Sequence, residues 1–395
     1  MPEPAGNTGI LPPPPAFPRN PRPVRRPVFW RHDRAAEYNA RDTGLDSESL
    51  RMARAWHRSR INWTVLSLLA ACVLAQVPQA AEPSAVILVY HRFGESEHPS
   101  TSIRLDQFEA HLRELASGDY TVLPVPEIVA RVRNGEALPE RTVGLTIDDA
   151  FLSVYREAWP RLRDAGFPFT LFVATDPVDY NRASSMNWDQ LRELHRAGVT
   201  IGSQTRTHPH MTQIAREDAA RELEESNARF LAELGEQPRL FAYPFGEYDL
   251  DVRDLVRRHG FEIAFGQHSG VVHAGADRLA LPRFPLNERY GGLDRFRLVI
   301  NALPLPVTDV LPANPVIAQN PPPFGFTVPD RLGHLDRLAC FASSGGGLDL
   351  EVLGRRVEAR FHTLLPPGRS RVNCTMPGPD ARWRWFGVQF LSPES

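Results

Sequence analysis

The chain reads as an α/β protein, a parallel sheet or barrel, followed by a small antiparallel β module. Three observations carry that reading. Between Ser84 and about Leu303, short apolar runs alternate with amphipathic segments of helical spacing. Beyond Leu303 the alternation stops and prolines crowd together. After those prolines, short strand-like runs recur between Gly and Pro turns. A βα alternation of this length implies parallel strands, with functional groups gathered at their C-terminal ends.

The 395 residues are enough for about two or three domains. With 42% hydrophobic and 23% charged residues, the composition excludes a wholly disordered or fibrous protein. A net charge of −2 gives no basic field to attract nucleic acid, so no nucleic-acid partner is expected. Three Cys are too few for a Cys-ligated zinc framework.

Residues 1–51 form a Pro- and Arg-rich stretch without sustained period, read as a disordered tail or as a start codon set too early. Met52 favours the second, because a basic leader follows it directly. Residues 52–81 then read as a signal peptide or lipoprotein leader. Their apolar run of about 13 residues is short for a span of about 20 and suits a signal-peptide core. Leu69-Ala70-Ala71-Cys72 fits the bacterial lipoprotein pattern, which would anchor the product to a membrane through a lipidated Cys72. The alternatives are a cleaved leader ending near Ala80-Ala81, with Pro78 or Gln79 ill placed for cleavage, or an uncleaved anchor. The expected location is exported: periplasmic, extracellular or envelope-anchored.

Residues 84–303 form the α/β region. AVILVY (85–90), VGLTI (143–147), FTLFVA (169–174), VTIG (199–202) and LFAYP (240–244) read as buried parallel strands. LDQFEAHLREL, the segment after Asp149, WDQLRELHRAG and REDAARELEESNARFLAEL read as helices. The last should bury Ala219, Leu223, Phe230, Leu231 and Leu234, with Gly198 and Gly235 at helix ends.

Residues 304–330, with Pro304, Pro306, Pro312, Pro315 and Pro321, Pro322 and Pro323, read as a stiff connector. Residues 331–395 read as the small β module, from RLACFAS to WRWFGVQFL. In an oxidising compartment Cys340 and Cys374 can pair across about 34 residues. Two buried thiols are the alternative.

Three short motifs can do chemistry. Asp148 and Asp149 follow an apolar strand, so one carboxylate could bind a cation while the other takes a proton. That requires the chain to turn there, since side chains alternate across a strand; a helix-capping pair is the plainer reading. His208-Pro209-His210 lies in a loop after VTIG, where imidazoles can reach a metal or simply meet solvent. Tyr243-Pro244-Phe245-Gly246-Glu247-Tyr248 is an aromatic turn whose backbone N–H could serve as an oxyanion donor. All three follow strands of one βα array, in order.

With these residues in hand, the sequence resembles the NodB-homology polysaccharide deacetylases, carbohydrate esterase family four. Thr146-Ile147-Asp148-Asp149-Ala150 is similar to their TFDDG motif, 203–209 to their H-S/T-x-x-H-P motif, and 241–246 to their R-x-P-Y/F-G region. Val89-Tyr90-His91-Arg92-Phe93 and Met186-Asn187-Trp188-Asp189-Gln190-Leu191 are similar to further landmarks. The FAYPFG form is similar to the poly-N-acetylglucosamine deacetylase branch. The resemblance covers about residues 84–300. It implies a distorted (β/α) barrel of about seven parallel strands, a bound divalent metal with zinc the expected ion, and hydrolysis of N-acetyl groups on a polysaccharide partner.

Carried over position by position, the resemblance makes Asp148 the general base, Asp149 and His208 metal ligands, and Phe245 the backbone oxyanion donor. The family's first metal His falls on Gln204, a neutral and weaker donor, with His210 a candidate replacement. The motif Arg that supports the base falls on Ala242, and Arg283 is a candidate substitute. No residue matches the family's general acid; His91 could approach the site from the first strand but is not assigned that role. Trp188 or Tyr248 would stack on a sugar ring. Alternative functions are a catalytically impaired barrel that binds carbohydrate and a different metal-dependent hydrolase.

Overall fold

The structure is a computed structural model that describes residues 82–393. The tail at 1–51 and the leader at 52–81, Cys72 included, lie outside the described residues. Among those described, no helix is long and apolar enough to cross a membrane.

A nine-stranded sheet forms the first half. Its strands are β1 (Ser84–Tyr90), β2 (Thr121–Val122), β3 (Thr142–Asp148), β4 (Thr170–Val173), β5 (Thr200–Ser203), β6 (Leu240–Ala242), β7 (Ile263–Phe265), β8 (Val271–His273) and β9 (Phe284–Pro285). The main path runs β8-β1-β3-β4-β5-β6-β7, with β9 paired to β1 and β2 to β3. Every pairing is parallel except that of β8 with β1. Leu281 bridges Phe265 on β7 while Phe284 pairs with Leu88 on β1, so the stretch 281–285 joins the last strand to the first. The result is the distorted (β/α) barrel the motifs imply.

Every residue of β3 is buried, as a parallel strand covered on both faces requires. Alternate residues divide into two apolar layers. Val86, Leu88, Tyr90, Val143, Leu145 and Ile147 pack outward against helices α1 (Leu105–Ser117), α3 (Trp159–Asp164) and α5 (Trp188–Arg196). Ala85, Ile87, Phe172, Ala242 and Phe265 form an inner cluster, capped by α2 (Val125–Asn134) through Val125, Ile128 and Val132. By the same parity Thr146 and Asp148 share the inner face of β3. Further helices are α4 (Thr175–Asp179), α6 (Arg216–Leu234), α7 (Leu250–Arg258) and α8 (Leu293–Ile300).

Helix α6 departs from its expected face. Leu231 is 50% exposed, while Glu222, Ser226 and Asn227 are buried beside Ala219, Leu223 and Phe230. These polar residues take inner positions because each has a partner there: Glu222 the loop after β5, Ser226 the Ser203 hydroxyl, and Asn227 the His259 carbonyl.

The stretch 304–330 is not a connector. It contributes β10 (Leu303–Pro304), β11 (Thr308–Leu311) and β12 (Phe324–Thr327). With β13 (Ala339–Ala342), β14 (Gly346–Gly347), β15 (Asp349–Leu353), β16 (Arg356–Arg360), β17 (Gly368–Pro377) and β18 (Trp383–Ser392), these build two sheets, β10-β18-β17-β13-β14 and β11-β12-β16-β15. Phe324, Phe326 and Val357 of one sheet meet Cys340, Val372, Cys374 and Phe390 of the other in a shared core. The module therefore begins at Leu303. Cys340 and Cys374 oppose each other in register and form a disulfide.

Candidate active site

The loop after β3 turns as the chemistry needs. Asp149 and Ala150 both adopt left-handed backbone, with φ of 76° and 47°. Asp148 points to the inner face and is fully buried. Its carboxylate caps no helix. Arg283, fully buried just before β9, donates to both its oxygens at 2.7 and 2.9 Å. The same guanidinium donates to the Thr146 hydroxyl at 3.1 Å and to the Gly266 carbonyl at 3.0 Å. It lies against the adjoining rings of Phe172 and Phe265, at 5.4 and 5.6 Å from their centroids. A bidentate fork fixes a carboxylate's plane as well as its position.

The loop after β5 carries Gln204 and His208. Thr205 and His208 are left-handed, with φ of 70° and 64°. Such backbone persists where surrounding contacts over-determine it. Here Glu222 of α6 accepts from the backbone N–H of Arg206 (3.1 Å) and of Thr207 (2.7 Å), and from the Thr207 hydroxyl (2.9 Å). The Thr205 hydroxyl accepts from the His208 N–H at 3.1 Å. Held in this way, His208 brings Nε2 to 3.5 Å from Oδ1 of Asp149.

Burial pushes the Asp149 carboxyl up to about 6, and the charge of Asp148 acts in the same direction, against His91, Arg92 and Arg283. Burial lowers the His208 pKa, so its imidazole is neutral with a free lone pair at neutral pH. His91, directly after β1, places Nε2 at 3.9 Å from Oδ2 of Asp148.

The loop after β6 carries Phe245 in left-handed backbone at φ 59°. The next residue must be glycine: Gly246 has φ +71°, and a Cβ there would lie 2.6 Å from the backbone nitrogen of Gln267. The Phe245 ring stacks on His210 (4.0 Å, 10°) and meets the edge of His208 (4.6 Å, 72°). Of the ten non-glycine residues with positive φ among those described, five lie in these three loops: Asp149, Ala150, Thr205, His208 and Phe245.

The structure thus brings Asp148, Asp149, Gln204, His208 and Phe245 to neighbouring loops at the C-terminal ends of β3, β5 and β6. His210 does not join Asp149 and His208 as a third ligand. Its Nδ1 is bound to the buried Glu247 carboxylate at 2.6 Å, and among the described residues no three His, Cys, Asp or Glu side chains form a metal-binding group. Gln204 is fully buried; its Oε1 accepts from the Asp149 N–H at 3.3 Å and its Nε2 has no partner.

A divalent ion fits the first two donors. Ligands of one zinc, each about 2.0–2.1 Å from it in tetrahedral geometry, stand roughly 3.4 Å apart, close to the 3.5 Å between Asp149 and His208. One oxygen anion and one neutral imidazole suit such an ion. The Gln204 amide oxygen keeps a second lone pair for such an ion, since the Asp149 N–H also donates to the Phe172 carbonyl at 3.0 Å.

Neither aromatic expected to stack on a sugar is placed for it. Trp188 is 8% exposed and donates to Asp179 at 2.6 Å. Tyr248 stacks on Tyr243 and lines a separate cavity of about 420 Å³ between barrel and module. Sequence reasoning missed Glu222 and Glu247 altogether, because a Glu in a charged helix or turn carries no local mark of what it will bond.

Known proteins resemble the barrel half of this chain. The family model described as Polysaccharide deacetylase matches residues 135–264. A poly-beta-1,6-N-acetyl-D-glucosamine N-deacetylase of Staphylococcus aureus is 23% identical over 236 residues, covering 52% of this chain and 80% of its own length. The Bacillus subtilis protein YxkH, named after the polysaccharide deacetylases, is 22% identical over 206 residues, covering 52% of this chain and 72% of its own. Among solved structures, the Streptococcus pyogenes deacetylase PplD in complex with acetate shares the fold, with a TM-score of 0.52 at 21% identity over 56% of this chain and 99% of that one. Residues 135–264 thus match the polysaccharide deacetylase family model, and the barrel around them shares its fold with a solved deacetylase.

Proposed function

We propose that this chain is a metal-dependent polysaccharide N-deacetylase acting on an N-acetylated envelope or exopolysaccharide glycan. One observation carries the reading: the forked Arg283–Asp148 pair stands beside the Asp149–His208 pair at one barrel mouth. A base and a cation seat side by side are what amide hydrolysis by water needs.

Asp149 and His208 would hold the divalent ion, with zinc the expected one. When bound, such an ion polarises the acetyl carbonyl and lowers the pKa of water. Asp148 accepts the proton of the attacking water. Its oxygens each bond to Arg283 through one lone pair and keep another for that proton. The Phe245 backbone N–H donates to the oxyanion that develops on the acetyl group. His91, beside Asp148 and partly open to solvent, donates a proton to the leaving amine.

A glycan substrate is consistent with export through the 52–81 leader. Mass spectrometry of the mature N-terminus distinguishes a lipidated Cys72 from a cleaved leader. The function itself is tested on the full-length protein with N-acetylglucosamine oligomers and added zinc, nickel or cobalt. Acetate is released, and Asp148→Asn abolishes release. Oligomer binding without acetate under any metal would instead assign the barrel to carbohydrate binding.

A further inference from the structure

The barrel does not hold the Phe245 turn alone. Strands β17 and β18 of the C-terminal module reach it with side chains. Arg369 of β17 donates from Nη1 to the Phe245 carbonyl at 3.2 Å and lies over the Phe245 ring at 5.4 Å. Its Nε pairs with the Glu247 carboxylate at 3.4 Å. Gln389 of β18 donates from Nε2 to the Gly246 carbonyl at 3.0 Å. The Gln389 amide is itself oriented, since its Oε1 accepts from Nε of Arg371 at 3.1 Å.

Two successive carbonyls of a turn with two left-handed residues are therefore gripped from outside the barrel. Glu247 passes the contact on to His210, whose ring stacks on Phe245. The module's seat is rigid here as well. A Cβ at Gly387 of β18 would lie 2.2 Å from the Ser269 carbonyl oxygen, so the two backbones touch. Trp385 of the same strand packs edge-on against Phe284 of β9, next to Arg283.

We propose that the C-terminal module is a working part of the deacetylase site, with Arg369 and Gln389 as positioning residues that aim the Phe245 N–H. The proposal deepens the deacetylase reading and rests on it. Its physical basis is that an oxyanion donor helps only if it is oriented before the reaction. A left-handed non-glycine residue keeps that orientation only while its neighbours enforce it. The plane that carries the Phe245 N–H also carries the Pro244 carbonyl, which accepts from the Glu247 N–H at 3.0 Å. The module holds the two following planes through the Phe245 and Gly246 carbonyls and so restrains the left-handed Phe245 backbone on its C-terminal side.

The test compares full-length wild type with Arg369→Ala, Arg369→Lys and Gln389→Leu, with zinc added, on N-acetylglucosamine oligomers. Arg369→Ala should lower kcat about tenfold with KM within about twofold, since the donor acts on the transition state. Arg369→Lys should recover part of the loss, because its ammonium still reaches one of the two acceptors. Hydrogen exchange over residues 241–249 should quicken in Arg369→Ala and Gln389→Leu, stay near wild type in Arg369→Lys, and not change in β3 and β4. Wild-type kcat in Arg369→Ala overturns the positioning role, even with faster exchange. A wild type that releases no acetate overturns the underlying reading instead. Exchange that is equal in all four proteins then overturns the module's grip on the turn.

Discussion

Asp148 and Arg283 are 135 residues apart in sequence, yet they face each other through two parallel hydrogen bonds with both side chains fully buried. The carboxylate arrives on the inner face of β3, and the guanidinium arrives with the segment that joins the last barrel strand to the first. Closing the sheet is thus also what completes the pair. Arg283 gives the proposed base one orientation, and the fork is itself anchored on the Gly266 carbonyl and the Thr146 hydroxyl.

Arg283→Lys keeps the charge and loses the fork. Acetate release should fall by about 10- to 100-fold, with folding retained. Arg283→Met leaves a buried carboxylate unpaired and should cost about 3–5 kcal/mol in urea denaturation. A Met variant as stable as wild type would show that the pair is not closed in solution.

Elemental analysis of purified variants reads the cation seat directly. Asp149→Ala and His208→Ala should lose the metal, whereas His210→Ala should retain it, because His210 is bound to Glu247. Gln204→His supplies a nitrogen donor in place of a neutral amide oxygen and should raise metal affinity by about tenfold. Loss of metal in His210→Ala at unchanged content in His208→Ala would reverse the assignment.

Glu222 satisfies two backbone N–H groups and one hydroxyl of the His208 loop. Glu222→Ala leaves those donors without their acceptor and should cost about 1–3 kcal/mol of stability. The same change should lower zinc affinity, through His208 and without touching the ion. Equal affinity with lowered stability would confine Glu222 to folding.

Burial lowers the pKa of two histidines remote from the proposed ligands, His111 and His268, to about 4. Each is neutral in the folded protein and titrates near 6.5 once unfolded. Between these values the unfolded state binds the extra proton, so stability is full above pH 6.5, declines as pH falls and levels off near 4. The loss should reach roughly 3 kcal/mol per histidine. Denaturation midpoints from pH 7.5 to 4 measure it, and His111→Gln should flatten the slope by about one group's share. His111 makes this cost worthwhile structurally: Nε2 lies 2.8 Å from the Gly291 carbonyl, and the ring stacks on Phe296 at 3.8 Å.

What could be read from the residues alone was whatever is local. Buried strands, the acidic pair behind VGLTI, the His-Pro-His loop and the aromatic turn are each contiguous, and βα order alone sends them to one end of the sheet. The second half misled for a physical reason. Proline interrupts strand pairing and dominates a composition average, yet Phe324–Thr327, directly after three prolines, is a four-residue central strand.

The tertiary structure decided which partners those local groups meet. Arg283 on Asp148, Glu222 under the His208 loop, Glu247 on His210 and Arg369 on Phe245 all cross long stretches of chain. A charged side chain has the same appearance in sequence whether it ends in water or on a buried acceptor. Only the packed surroundings, by removing the water, turn one Arg or Glu into the sole partner available.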